Sequence, residues 1–220
     1  MNFEKTQELV TLSFQKKQSP LPTQKFDVKL LVDKSGSMQE EFESGWVSKT
    51  IDLFTACSSK FDDDGNLTVG FFNHGYQHGK VANKQTFGSY FKGFYQKAEG
   101  TTQYAQAIDG ILATSLKSTL FGFLKTKPKT KLSYLAMITD GDCADYSDFI
   151  KTVNSFDSNL FFQVIVIGNQ VTIDKLKFLN QFTNCDYVLV PDPHNTSEEK
   201  FLELVISDKF INWTKNLSKQ

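Results

Sequence analysis

The sequence predicts a doubly wound, Rossmann-like α/β fold: a mostly parallel central sheet with helices on both faces and one short antiparallel edge strand. Three observations predict it. Apolar runs without polar alternation recur at Asp27–Asp33 (DVKLLVD), Lys131–Asp140 (KLSYLAMITD) and Leu160–Gly168 (LFFQVIVIG), as expected of strands buried on both faces. Between them lie stretches whose apolar residues recur at helical spacing. Strands that alternate with helices pair in parallel through right-handed crossovers.

Taken in order, residues 1–24 read as an N-terminal arm and 25–220 as one domain, with Ser19–Gln24 the plausible break. The arm lacks a strong continuous period, so it is expected to be packed or partner-facing, and its deletion to leave a soluble domain. After the first strand, Phe42–Phe61 spaces Trp46, Ile51, Phe54 and Cys57 as a covering helix does. Asp62-Asp63-Asp64-Gly65 breaks it and leads into a strand at Leu67–Asn73. Gly75–Gly79 reads as a hairpin turn into a short edge strand near Lys80, and Phe87–Lys97 as a helix. A long amphipathic helix is expected over Tyr104–Leu124, through Ile108, Ile111, Leu112, Leu116 and Leu120. Further on come a helix at Asp174–Phe182, a strand at Asp186–Val190 and a last helix over Glu198–Leu217.

Composition narrows the function. At 220 residues and 40% hydrophobic, the chain is long enough for one full core. A formal charge of -1 offers no field for phosphate backbones or anionic membranes. All 24 basic residues are lysines, so the bidentate guanidinium used for base edges is missing, and nucleic acid is a poor partner. Cys57, Cys143 and Cys185 are odd in number and far apart, which disfavours disulfides and thiolate zinc and suits a reduced, cytoplasmic compartment. Met1–Pro20 carries charges throughout and no long apolar stretch, so it reads as neither signal nor anchor. No run approaches the ~20 apolar residues of a spanning helix. A soluble monomer is expected.

The chemistry lies where strands end. DVKLLVD runs into Asp33-Lys34-Ser35-Gly36-Ser37-Met38, placing a carboxylate and two hydroxyls at the carboxyl edge of the sheet, where open α/β folds bind ligands. The strand ending Thr139-Asp140-Gly141-Asp142 brings a second carboxylate, and Gly100-Thr101-Thr102-Gln103 brings hydroxyls before a helix. Oxygen donors without His or Cys select a hard cation, Mg²⁺ first, with Mn²⁺ or Ca²⁺ as alternatives. Helix N-termini beside these loops would repel a cation unless Asp33 and Asp140 compensate. Taken alone, Asp33-x-Ser35-x-Ser37 reads equally well as a helix cap.

Asp33-x-Ser35-x-Ser37, followed by a threonine and then an aspartate, resembles the metal-ion-dependent adhesion site of von Willebrand factor A (vWA) domains. FDDDGNLTVGFFN, GTTQYAQAID, ITDGD and FFQVIVIG are similar to the bacterial tellurium-resistance and general-stress branch. The resemblance implies that Ser35 and Ser37 are direct ligands and Thr102 the threonine, with Asp33 acting through water and Asp140 directly or through water. Thr101 remains an alternative, because this chain has one glycine where the family commonly has two. It further implies a non-catalytic module in which a partner's Asp or Glu carboxylate completes the metal, coupled to movement of nearby loops and the last helix. A scaffold role in a stress-response or phage-related complex follows by analogy.

Two other classes stay in view: a Mg²⁺-dependent hydrolase or phosphotransferase using Asp33, and a scaffold that binds through another face with metal as a brace. In the first, Ser35 occupies the position of the usual general acid. Asp62-x-Asp64-Gly65 has phosphatase letters but follows a helix, and reads as a turn. His74 and His78 flank a turn and read as surface histidines. Asp142 and Asp145 read as solvating their loop, and the 21 phenylalanines as core.

Overall fold

The computed structural model describes residues 1–93, 96–117, 132–141, 143–168 and 170–217. Its centre is a six-stranded sheet of β1 (Asp27–Asp33), β2 (Leu67–Phe72), β3 (Tyr76–His78), β4 (Ser133–Thr139), β5 (Leu160–Ile167) and β6 (Cys185–Val190), in the order β3-β2-β1-β4-β5-β6. Every pairing is parallel except β2 with β3. The chain winds outward from β1 to β2 and β3, then crosses to β4 and winds the other way. The carboxyl ends of β1 and β4 therefore flank a topological switch point.

Strand residues alternate between two cores, as a period of two demands. Val32, Ala136, Ile138, Phe161 and Ile165 pack to one side, while Leu31, Leu135, Met137, Phe162 and Val164 pack to the other. The first side is covered by α1 (Phe3–Lys16), α3 (Trp46–Phe61), α7 (Glu198–Val205) and α8 (Asp208–Leu217). The second is covered by α4 (Tyr104–Lys117), α5 (Tyr146–Asn154) and α6 (Gln170–Leu176). The phenylalanines do fill core: Phe26 stacks on Phe61 at 5.3 Å, and Phe14, Phe161, Trp213 and Tyr134 ring Phe210. Among the described residues no helix is long and apolar enough to cross a membrane.

Several boundaries differ from the sequence expectation. The helix expected over Phe42–Phe61 is divided: a 3-10 turn (Gly36–Met38) and α2 (Gln39–Glu43) come first, and Gly45 at φ +80° then starts α3 on a new axis. Phe87–Lys97 is no helix among its described residues but a series of turns, interrupted by Gly88 and Gly93 at positive φ; residues 94 and 95 lie outside the described residues. The edge strand forms at Tyr76–His78 rather than near Lys80, because the chain reverses already at Asn73–Gly75. Of Tyr104–Leu124, α4 covers Tyr104–Lys117 and the remainder lies outside the described residues, as do Lys131 and Asp142. The last helix is two helices, because the Ser207 hydroxyl accepts from the Phe210 backbone and caps α8.

Two helices escaped the sequence reading. One is α5. The other is α1, inside the arm, which inserts Val10 and Phe14 into the core and ties Lys16 to Glu199 and Glu203 of α7 and Lys17 to Asp208 of α8.

Candidate metal centre

Each candidate residue is delivered by a strand end or a helix start. Asp33 is the last residue of β1 and fully buried. Its Oδ1 accepts from the Ser35 backbone N–H at 2.7 Å, and its Oδ2 from the Thr139 hydroxyl at 2.6 Å. The first contact bends the chain sharply out of the sheet, so that Ser35 and Ser37 turn back toward the strand end. Their hydroxyls lie 3.2 Å apart, and that of Ser37 donates to Asp140 Oδ1 at 2.8 Å. Asp140 directly follows β4, so β1 and β4, neighbours in the sheet, set the separation of the two carboxylates.

The third loop is stitched over the first. Gly36 N–H donates to Gly100 O, Glu99 N–H to Lys34 O, and Asn73 Nδ2 to Glu99 O, while Ala144 N–H donates to Thr102 O. Thr102 is buried and Thr101 exposed, so Thr102 is the threonine turned into the crevice. Gly141 forms the remaining wall: a methyl group there would lie 3.1 Å from Thr102 Oγ1 and 3.8 Å from Asp33 Oδ2. The five candidates are thus brought to one sheet edge: Ser35, Ser37 and Asp140 through their hydrogen bonds, and Thr102 and Asp33 beside the position where Gly141 carries no side chain.

The electrostatics suit a cation. Burial pushes the Asp33 carboxyl up to about 6, against the hydrogen bonds from Thr139 and Ser35, and the charge of Asp140 adds to the rise. Burial likewise raises Asp140, opposed by the Ser37 hydroxyl. Among the described residues neither carboxylate forms an ion pair. The helix dipole of α4, which begins two residues after Thr102, supplies positive potential but no counterion. Nor does any group of three or more His, Cys, Asp or Glu gather among the described residues, so the donor set is two carboxylates and three hydroxyls. Such a set fits a hard, oxygen-loving cation and not a soft one.

Sequence reasoning missed the supports. Thr139 donates to Asp33, and the Tyr104 hydroxyl, 3.3 Å from the Thr139 oxygen, donates its proton to Gly141 O at 2.8 Å. The signal available was a hydroxylated, β-branched residue ending an otherwise apolar strand just before Asp140. Asp145 does not simply solvate its loop: Oδ1 accepts from Tyr104 N–H at 2.8 Å and Oδ2 from Ala105 N–H at 3.0 Å, which caps α4 from another element. His74 and His78 are exposed, the latter bonded to the Tyr76 hydroxyl. The Asp62 carboxylate closes its turn by accepting from Val28 and Asp64 N–H groups.

This geometry can be set beside known proteins. Over residues 25–220 the sequence matches the family described as vWA-TerF-like, a vWA found in the TerF C terminus. The chain belongs to the vWA-TerF-like family. This vWA-TerF-like chain is also 21% identical over 201 residues to the uncharacterized protein YcbR of Bacillus subtilis (strain 168), an alignment covering 88% of the chain and 79% of YcbR. Among solved structures it resembles proximal thread matrix protein 1 from the mussel byssus with a zinc-occupied MIDAS motif: TM-score 0.59, 14% identity, 86% of this chain and 48% of that one. It also resembles the SpRpn10 VWA domain, with TM-score 0.54, 15% identity, and coverage of 84% of this chain and 96% of that one. The chain spans about half the length of the mussel protein, and at these identities the structural likenesses speak to the fold.

Proposed function

We propose that the crevice holds one hard divalent cation, Mg²⁺ first with Mn²⁺ or Ca²⁺ as alternatives, and that residues 25–220 use it as a non-catalytic protein-binding module, with 1–24 an arm. The observation that carries this reading is the meeting of five oxygen donors at the ends of β1 and β4: the Ser35 and Ser37 hydroxyls adjoin, Ser37 donates to Asp140, and Thr102 Oγ1 and Asp33 Oδ2 both face Gly141, with no ion-pair partner for either carboxylate among the described residues. Ser35 and Ser37 would hold the ion through their adjacent hydroxyls, with Thr102 facing them. Asp140 would bind it directly or through water, and Asp33, whose two oxygens are already engaged, through water. Bound there, the cation would supply a Lewis-acidic position for a partner's Asp or Glu carboxylate. With Ser35, Ser37 and Thr102 neutral and Asp33 acting through water, the groups touching the ion directly would leave positive charge for a partner's carboxylate to meet.

The zinc-occupied MIDAS motif of the mussel protein supports the metal assignment. Burial of Asp33, with both oxygens accepting hydrogen bonds, favours binding over phosphoryl transfer, since a nucleophilic carboxylate needs a lone pair open to substrate. The family's TerF name supports a place in a tellurium-resistance, stress-response or phage-related system. The near-neutral, arginine-free composition supports a protein partner over nucleic acid or an anionic membrane, and the three free cysteines support a cytoplasmic compartment.

Calorimetry with Mg²⁺ and Mn²⁺ tests the metal: one site per chain is expected, abolished by Ser35→Ala with Ser37→Ala while the fold persists. Unchanged affinity in that double variant would sink the assignment. For the partner, binding should be lost reversibly in chelator; a partner held equally well in chelator uses another face.

A further inference from the structure

Helices α4 and α5 touch through their inward residues and part at the surface. Tyr104 and Phe149 meet edge to face at 5.1 Å between them. Further out, Gln106 and Asp109 of α4 face Asp148, Lys151 and Thr152 of α5, and spacings of three and four put each set on one side of its helix. An open groove of about 520 Å³ lies between these walls, with the small side chain of Ala105 also lining it. The groove runs up to the metal crevice. Its head is formed by Gln103, the residue after Thr102, and by Asp145, which accepts from the Tyr104 and Ala105 N–H groups at 2.8 and 3.0 Å. Ala144 N–H donates to Thr102 O at 2.8 Å, so the turn that starts α5 is tied to the loop carrying the threonine. One surface therefore leads from the candidate ion position into the groove.

The groove carries three carboxylates and one ammonium group. Asp148 pairs with Lys151 at 2.7 Å. Among the described residues Asp145 is met by N–H donors and the Cys143 thiol, and Asp109 is exposed with no ion-pair partner. Two negative charges are thus left without a cation. A partner segment whose acid reaches the ion brings a further negative charge to the head of this groove, and a lysine or arginine on the same segment offsets it. Asp109 follows Thr102 by seven residues, which at about 1.5 Å per helical residue places it roughly 10 Å from the crevice. An extended segment at about 3.3 Å per residue covers that span in about three residues.

We propose that the groove between α4 and α5 receives the partner's chain beside its metal-binding acid, and that it selects a lysine or arginine about three residues from that acid, facing Asp109 and Asp148. The inference rests on the metal reading above and names the partner's chemistry: an extended segment with an acid for the ion and a base for the groove. The amides of Gln103 and Gln106 and the hydroxyl of Thr152 suit such a segment, whose backbone N–H and C=O groups need partners once docked. Asp109 and Asp148 act on the partner and not on the ion.

The probe is a random peptide library displayed on phage, selected on the full chain in Mg²⁺ and eluted with chelator. Eluted peptides should carry an acid with a lysine or arginine about three residues away. One such peptide is then made in two forms, with its basic residue and with glutamine in that place, and titrated by fluorescence anisotropy against wild type and the Asp109→Asn, Asp148→Asn pair. The glutamine form should bind wild type about two- to fivefold more weakly, the scale of exposed ion pairs, and the two forms should bind the double variant alike. The double variant should keep wild-type Mg²⁺ affinity by calorimetry; should it unfold early, Asp109→Asn alone carries the same comparison. An equal glutamine loss on the variant overturns the proposal, as does a severalfold loss of Mg²⁺ affinity, which would trace the effect to the ion. If eluted peptides carry the acid without the base, the groove proposal falls and the metal reading stands. If they carry no acid, or nothing elutes with chelator, both fall.

Discussion

Replacing Phe14 by alanine should destabilise the domain as severely as a change at its centre, although Phe14 belongs to an arm that precedes the first strand. Its ring is 1% exposed and meets Phe61 at 5.6 Å and Phe210 at 6.3 Å, both edge to face. Those neighbours are themselves held by Phe26, Phe161 and Trp213, so the walls cannot collapse into the space left behind. A Phe→Ala change at a site that cannot relax costs about 3–5 kcal/mol. At roughly 2–4 °C per kcal/mol for a domain of this size, the unfolding midpoint should drop by about 6–20 °C. Circular dichroism melts and urea titrations would measure it, with Leu12→Ala, on the same helix but 42% exposed, as the near-neutral comparison. Deleting residues 1–24 should act in the same direction and further, because Phe3 and Val10 go with Phe14. A Phe14→Ala variant within about 1 kcal/mol of wild type would refute the reasoning and return the arm to a peripheral role.

Other consequences follow from the site and its surroundings. Gly141→Ala should weaken Mn²⁺ severalfold with little change in unfolding temperature in chelator, since its methyl would press on Thr102 Oγ1 from 3.1 Å; unaltered binding would place the ion elsewhere. Thr102→Ala should weaken a partner more than the metal, and Asp140→Ala the metal itself, which parallel calorimetry and partner titration would separate; equal losses from both would contradict the division of roles. Asp52 is buried on α3, accepts from Gly88 N–H at 2.9 Å, and burial raises its carboxyl above the ordinary value. A raised folded-state carboxyl contributes stability that is present below the unfolded value and lost as pH rises through the folded one. Asp52→Asn should therefore gain on wild type as pH rises above the ordinary aspartate value, and melts showing a pH-independent difference would exclude that cause.

The central strands were legible because a run such as LFFQVIVIG, apolar but for Gln163, is buried on both faces and needs no knowledge of its neighbours to be so. The motif was legible for a related reason: Asp33, Ser35 and Ser37 are contiguous, and one turn suffices to group them. α1 was hidden because two of its five inward positions, Thr6 and Ser13, are hydroxyls that bond back to the carbonyls of Asn2 and Leu9, which blurs the apolar stripe. Only the fold explains why polar residues are tolerated there.

What the sequence determined by itself was the class of the fold and the kind of chemistry at one sheet edge, because both follow from local pattern: period, strand ends, and donor types at short spacing. The tertiary structure decided which groups meet. Pairing β1 with β4 sets Asp140 against Ser37, and docking of the 99–103 loop turns Thr102 inward and leaves Thr101 outside. Thr139, Tyr104 and Asp145 became supports of the site through contacts between elements far apart in the chain. Sequence spacing carries no distance across a crossover; that distance is set by the roughly 4.8 Å between paired strands and by the loops that pack over their ends.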